Sequence, residues 1–327
     1  MKTWFWLPAA LAVLMMLGCA SPKIRLFTDS SDPYEEYTLE GSATPKILVL
    51  QANGTIAEGP ERGLLRDRPG LVPDIVSQLR LAEKDDAIGA VVLKIDSPGG
   101  SVTASDVLYH ELKAYKEKTG VKLVAVFMGL AASGGYYIAL PADRIVAHPT
   151  SITGSVGVVF LQPKVTGLME KLGVGVDVSK SGAQKDMGSP FRPSTDEERR
   201  LLQDLTERLG ERFVGLLQKH RTISPEALAE IRTARIFLAE EALSLGLVDR
   251  IGYVDDALQT ARQLAGLPED ARVVVYRRNE FPNDTVYNAA GTKGGTAPPE
   301  LIHLDLPGSV GELGTGFFYI WPPAAGR

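Results

Sequence analysis

The chain has 327 residues, a net charge of −5 and a hydrophobic content of 44%, which is the composition of a globular protein with a substantial core. The acidic balance argues against a nucleic-acid binder, which needs a basic face. The single cysteine, Cys19, excludes an intrachain disulfide framework.

The N-terminus has the pattern of a signal peptide. Lys2 precedes an apolar run of about 15 residues, whereas a membrane-spanning helix needs about 20. The run ends in Met16-Leu-Gly-Cys19, which resembles the lipobox of bacterial lipoproteins. We therefore predict a lipoprotein signal peptide at residues 1–18 and a lipid on Cys19, which would anchor the chain to a membrane of the bacterial envelope on its extracytoplasmic side. An uncleaved anchor is the alternative, and it gives the same location.

Residues 19–45 are polar with scattered prolines, and we interpret them as a tether or arm. Strands and helices then alternate over residues 46–265, which favours an α/β domain with a mostly parallel sheet and flanking helices. Residues 266–327 form a C-terminal extension. The predicted strands are 46–51, 90–95, 121–127, 144–147, 156–160 and 176–179, and the longest predicted helices are 101–118 and 194–219.

The extension contains one aromatic run, Phe317-Phe-Tyr-Ile-Trp321. The sequence leaves three interpretations open: a buried edge strand, a contact between subunits, or a patch that touches the membrane. We favour the subunit contact.

A serine followed by two glycines marks a candidate nucleophile, in Ala131-Ala-Ser133-Gly-Gly135. Ser133 follows a predicted strand and opens a predicted helix, where the N–H of Gly134 is placed to donate to an oxyanion. A second glycine pair, in Asp96-Ser-Pro-Gly-Gly-Ser101, follows the preceding strand, and Gly99 or Gly100 could supply a second donor. The plain alternatives are a small-residue helix and an ordinary turn.

A serine hydroxyl needs a base within hydrogen-bond reach. The four histidines, His110, His148, His220 and His303, lie outside the glycine-rich loops, which disfavours a Ser-His-Asp triad; His148 is nearest to the motif. Lys185 lies in a loop of small residues, and a Ser-Lys dyad is a known variant of the triad. Such a lysine needs a pKa near 7 to 8 instead of about 10.4, and spacing alone does not separate it from a surface charge. Asp186 would hinder the base if it paired with Lys185, so we expect its side chain to point away.

Five segments occur in an order that resembles a known family: LKIDSPGG, AASGGYYIA, TGSVGVV, GAQKDMGSPFR and ALSLGLVDRIG. Together they are similar to the signal peptide peptidase A family in its short bacterial form, a family of membrane-associated serine proteases. The resemblance covers about residues 45 to 265 and is specific because all five segments are present in order.

The resemblance implies a ClpP/crotonase-like fold and a role for each matching residue. Ser133 would be the nucleophile and Lys185 the general base, with Ser155 orienting the lysine amine. Gly100 and Gly134 would provide the oxyanion N–H groups. It also implies no metal or other cofactor, peptide substrates such as leftover signal peptides, and a ring-like homo-oligomer whose substrate pockets are shared between neighbours.

Other functions stay open at this stage. One is a serine protease with the same dyad that acts in quality control of envelope membrane proteins. Another is a catalytically inactive, lipid-anchored assembly or binding module, against which the intact Ser133, Ser155 and Lys185 argue. The acyl-CoA chemistry of crotonase relatives predicts catalytic carboxylates and no envelope signal. Family members usually carry a transmembrane helix, whereas this chain has a lipidation pattern.

Overall fold

The structure is a computed structural model that describes residues 32–59, 69–278, 280–281, 283–288 and 316–322. The predicted signal peptide and Cys19 lie outside these ranges. Within them, no helix has the length and apolar character needed to cross a membrane.

A mostly parallel sheet forms the centre of the fold. Its strands run in the order β1-β11-β2-β3-β5-β6-β10, with β7 beside β5 and β9 beside β7. Of the strand pairs that this sheet forms in the described residues, β1–β11 and β7–β9 are antiparallel and all others are parallel. The predicted α/β architecture is therefore confirmed. The strands of the whole structure are β1 (Glu35–Glu40), β2 (Ala43–Asn53), β3 (Ile88–Ser97), β4 (Gly99–Ser101), β5 (Lys122–Ala132), β6 (Arg144–Ala147), β7 (Ile152–Gly154), β8 (Val159–Leu161), β9 (Ile236–Leu238), β10 (Arg250–Ile251), β11 (Ala271–Arg277) and β12 (Gly316–Ile320).

Helices cover both faces of the sheet, and the central strands are accordingly mostly apolar. Leu79, Leu108 and Phe213 come from three helices on one face, and Leu258 comes from a helix on the other face. The helices are α1 (Leu71–Ala82), α2 (Val102–Thr119), α3 (Gly134–Tyr137), α4 (Thr166–Leu172), α5 (Asp196–His220), α6 (Pro225–Ile231), α7 (Ala239–Ser244) and α8 (Val254–Ala265).

The sheet extends beyond the predicted domain at both ends. Residues 35–40, which we assigned to the tether, form β1, and residues 271–277, which we assigned to the extension, form β11. β11 lies between β1 and β2 and buries Val273 and Val274 completely. It joins the sheet because it covers the edge that β2 would otherwise expose.

A second, three-stranded sheet has the order β4-β12-β8. The aromatic run that we expected at a subunit contact supplies its central strand, β12, within the same chain. The predicted strand at residues 176–179 does not form, and Val174, Val176 and Val178 are about half exposed. An alternating apolar pattern cannot make a strand where no neighbouring strand pairs with its main chain.

Candidate active site

Ser133 lies at the turn between β5 and α3, as the sequence predicts. Its backbone has φ 52° and ψ −114°, a conformation that residues with a side chain rarely adopt. The Ser133 N–H donates to the Gly154 carbonyl at 2.8 Å, and the Tyr137 N–H donates to the Ser133 carbonyl at 2.8 Å. Such a backbone conformation costs on the order of 1–3 kcal/mol, and it is typical of functional sites.

The glycine loop after β3 packs directly against this turn, and no side chain fits at the contact. A Cβ on Gly99, which has φ 98°, would lie 2.6 Å from the Gly134 nitrogen. A Cβ on Gly134 would lie 2.5 Å from Ser105 Oγ, and one on Gly100 would lie 1.9 Å from the Ile56 carbonyl oxygen. The two glycine pairs therefore let two main-chain segments meet beside Ser133.

Ser97 shapes the same loop, although sequence reasoning missed it. Its buried hydroxyl donates to the Gly54 carbonyl at 2.6 Å and accepts from the Gly99 N–H at 3.1 Å. The signal that could have found it is a serine directly before Pro98-Gly99, because serine hydroxyls often bond to nearby main chain in turns.

Ser155 occupies the next strand end beside Ser133. β7 pairs with β5 in parallel, with Gly154 opposite Ala132, so the two serines follow paired residues. Ser155 is 8% exposed, has φ 52°, and donates its N–H to the Arg235 carbonyl at 2.8 Å. Its hydroxyl makes no hydrogen bond to any residue that the structure describes, so it is free to accept or donate one at this edge.

Lys185 is not hydrogen-bonded to Ser133 within this single chain. It lies in a segment of turns between α4 and α5, with its side chain exposed and without a hydrogen bond or ion pair to the described residues. Among the described residues, the Ser133 hydroxyl has one hydrogen-bond partner, the Gly157 carbonyl, at the long distance of 3.5 Å. The structure thus brings together four of the predicted site residues and leaves the lysine apart: Ser133, Gly134, Gly100 and Ser155.

Asp186 pairs with cations other than Lys185. Its carboxylate pairs with Lys180 Nζ at 2.6 Å and with Arg192 Nε at 2.8 Å. These two cations hold the pKa of the Asp186 carboxyl well below its usual range, the Arg192 hydrogen bond being the larger cause. Arg192 also pairs with Glu198, and this lowers the pKa of Glu198 to about 2. The acid next to Lys185 is therefore neutralised by other side chains.

No histidine is bonded to Ser133 in the described residues. His148 pairs with Thr150 at 2.9 Å, and His220 pairs with the Tyr109 hydroxyl at 2.7 Å. The described residues also contain no group of His, Cys, Asp and Glu side chains that could hold a metal ion. His110 is exposed on α2, and His303 lies outside the described residues.

Comparisons with known proteins find similar peptidases. The family model "Peptidase family S49" matches residues 115–268, and the "Clp protease" model matches residues 70–152. A protein of Enterococcus faecium named "Putative signal peptide peptidase SppA" is 36% identical over 261 residues, which cover 80% of this chain and 74% of that protein. Protease 4 of Salmonella typhi is 35% identical over 278 residues, which cover 84% of this chain and 44% of that protein. Among solved structures, a mutant of ClpP1 from Listeria monocytogenes aligns with a TM-score of 0.42 and 20% identity over 64% of this chain and 94% of its own.

The sheet topology, the family models and these relatives define the class: the chain is a serine peptidase with a ClpP-like α/β fold. It belongs to peptidase family S49. The predicted family, fold and enzyme class are therefore confirmed.

Proposed function

We propose that this peptidase is a membrane-associated endopeptidase with a Ser133–Lys185 dyad that degrades leftover signal peptides or other apolar peptides. The observation that carries the proposal is the strained turn at Ser133 directly beside the two glycine loops. Main-chain N–H groups at such a turn can stabilise an oxyanion without moving during the reaction. Gly134 and Gly100 are the proposed donors.

The reaction is an acyl transfer. Neutral Lys185 takes the Ser133 hydroxyl proton while Ser133 Oγ bonds to the peptide carbonyl carbon. The C–N bond then breaks, and the lysine ammonium gives its proton to the leaving amine. Water hydrolyses the ester and returns a proton to Ser133 Oγ. Ser155 orients the lysine amine during both proton transfers.

The exposed position of Lys185 favours a dyad that is completed by a second copy of the chain. The segment around Lys185 carries six large apolar side chains that are about half exposed or more, and groups of exposed apolar side chains often mark interaction sites. A second copy would bury this set and place its lysine at the strand ends beside Ser133, in the predicted homo-oligomeric ring. The exposed set is Leu168, Leu172, Val174, Val176, Val178 and Phe191.

Membrane attachment rests on the sequence. The lipobox-like stretch that ends at Cys19 would anchor the chain beside signal peptides that remain in the membrane.

The test is hydrolysis of a fluorogenic leader-like peptide by the full chain in detergent. Ser133→Ala and Lys185→Ala are each expected to lose at least about a hundredfold in kcat, because each removes an essential member of the dyad. Lys84→Ala, at an exposed lysine outside this segment, is the matched control and should retain activity. Activity that survives Lys185→Ala would assign the base to another residue, and inactivity of the wild type in its assembled form would favour the binding module.

Mixing the two inactive variants tests the shared site. If the dyad is formed across subunits, co-assembled Ser133→Ala and Lys185→Ala chains regain part of the activity, because some interfaces join an intact serine to an intact lysine. Retention of full activity by a strictly monomeric wild type would contradict a dyad formed between copies.

A further inference from the structure

The segment that follows α6 packs against the strand end that carries Ser155. We call residues 234–238 the β9 arm, because they comprise β9 and the two residues before it. β9 runs antiparallel to β7, with Ile236 opposite Gly154, on the side of β7 that is away from β5. Directly beyond this pair, the Ser155 N–H donates to the Arg235 carbonyl at 2.8 Å. The main chain of the arm therefore holds the main chain of Ser155.

Two glycines beside Ser155 let the β9 arm approach closely. A Cβ on Gly154 would lie 2.5 Å from the Phe237 ring, and Phe237 is almost completely buried. A Cβ on Gly157 would lie 2.7 Å from the Ala234 Cβ. Because packed interiors transmit small displacements, a shift of the arm would move the main chain on both sides of Ser155.

The backbone is strained on both sides of this contact. Ala234 has φ 57° and Ser155 has φ 52°, and both values lie in the left-handed region that residues with a side chain rarely adopt. Such conformations persist only where the surrounding contacts enforce them. The arm therefore needs an interaction that holds it in place against this strain.

The Arg235 side chain supplies that interaction. Its guanidinium lies over the Phe237 ring, 4.1 Å from the centroid, and donates to the Ile236 carbonyl at 3.1 Å. It also pairs with Glu230 of α6 and, at 3.2 Å, with Glu241 of α7. A guanidinium can hold several partners at once because its donors form a planar fork. Arg235 thus fastens the arm to the helices that precede and follow it.

The exposure of Arg235 separates its effect on geometry from its effect on stability. The side chain is 42% exposed, and exposed ion pairs contribute little to the free energy of unfolding. The carbonyl of the same residue, however, is bonded to Ser155, the residue proposed to orient the base. Loss of the side chain should therefore change the position of Ser155 more than the stability of the fold.

We propose that Arg235 is a positioning residue for catalysis, which acts on Ser155 through the β9 arm. The arm fixes the direction of the Ser155 hydroxyl, and that hydroxyl orients the Lys185 amine. Without the Arg235 side chain the arm relaxes, and the amine is held less often in its productive orientation. The proposal rests on the proposed Ser133–Lys185 dyad and names a further residue on which that dyad depends.

The first experiment measures rates on the leader-like peptide from pH 6 to 10, with the full chain in detergent. Arg235→Ala is expected to lower kcat about two- to tenfold, the loss expected for one weakened hydrogen bond to the base, with KM unchanged. The pH of half-maximal activity should move upward, because a lysine that loses a hydrogen-bond partner for its neutral form is protonated more readily. Arg235→Lys keeps the charge but not the fork, so its kcat should lie between the two.

Arg232→Ala is the matched control. Arg232 is 43% exposed and pairs with one carboxylate, that of Glu211, but it lies outside the β9 arm. Its removal should leave kcat, KM and the pH profile unchanged. The proposal fails if Arg235→Ala has the kcat and pH profile of the wild type, if it changes KM alone, or if Arg232→Ala shows the same loss.

A double-mutant cycle tests whether Arg235 acts through Ser155. In a Ser155→Ala background, Arg235→Ala should cause no further loss of kcat, because no hydroxyl remains to be misplaced. Losses that multiply would mean that Arg235 acts independently of Ser155 and would overturn the proposal. If Arg235→Ala does not fold, the same cycle with Arg235→Lys decides. Failure of the proposed function itself would appear differently, as activity that survives Ser133→Ala.

Discussion

Ser133 and Ser155 share the same backbone angle, φ 52°, and each follows the last residue of one of two neighbouring parallel strands. The Ser133 N–H donates to the carbonyl of Gly154, the residue before Ser155. Left-handed φ values are uncommon for residues other than glycine. Two adjacent serines with such φ values indicate that this edge of the sheet holds their hydroxyl groups in fixed positions. The strained backbone lowers the stability of the fold.

Ser133→Gly should stabilise the protein while abolishing activity. Glycine accepts φ 52° without strain, so we expect the free energy of unfolding to rise by about 1 kcal/mol. Ser133→Ala loses activity equally but keeps the strained backbone, and it serves as the control. Urea unfolding of both variants in parallel checks this, and equal stabilities would mean that the turn is unstrained.

Ser155→Ala should lower kcat about tenfold with little change in KM, because the hydroxyl orients the base and does not hold the substrate. The pH at which activity is half maximal should also move upward. Ser151→Ala is the matched control, since the Ser151 hydroxyl bonds to the Phe127 carbonyl at 3.1 Å in the same region. Steady-state rates from pH 6 to 10 measure both effects, and an unchanged pH profile in Ser155→Ala would assign the hydroxyl a purely structural role.

Gly100→Ala should destabilise the fold and lower activity, because its Cβ would lie 1.9 Å from a main-chain oxygen of Ile56, which cannot move aside cheaply. We expect a loss of about 2 kcal/mol or more, as for other overpacked sites. Gly167→Ala in α4 meets no atom within 4 Å and should stabilise its helix by about 0.5–1 kcal/mol. Thermal unfolding of the two variants provides the comparison; similar melting temperatures would show that Gly100 and Ile56 are not in close contact.

The buried Lys94 should make stability depend on pH. Burial lowers the pKa of Lys94 to about 8, and its Nζ donates to the Val286 carbonyl at 2.7 Å. Above pH 8 the folded lysine is neutral while the unfolded one stays charged up to about pH 10.4, so the free energy of unfolding should rise with pH over this window. Lys94→Met removes this rise, and Lys84→Met, at an exposed lysine, retains it. Urea unfolding at pH 8 and pH 10 measures the change in the free energy of unfolding with pH. The same change in both variants would refute the role of Lys94.

The architecture could be predicted from sequence because its signals are local. The apolar runs of β2, β3 and β5 and the helix of residues 102–119, which begins after the Ser101 cap and ends at Gly120, follow from near neighbours in the chain. The position of Ser133 was predictable for the same reason, since a strand, a serine and two glycines are contiguous. β1 and β11 were missed because each depends on a partner more than 200 residues away.

The sequence by itself determined the α/β class, the family and the serine with its glycine loops, because hydrophobic period and motif order are properties of contiguous residues. Only the tertiary structure decided that Ser155 lies beside Ser133, that Lys185 stays exposed in its own chain, and that β12 pairs with β4 and β8. Each of these depends on how segments far apart in the chain pack together. That is a property of the whole packed chain, and no single segment encodes it.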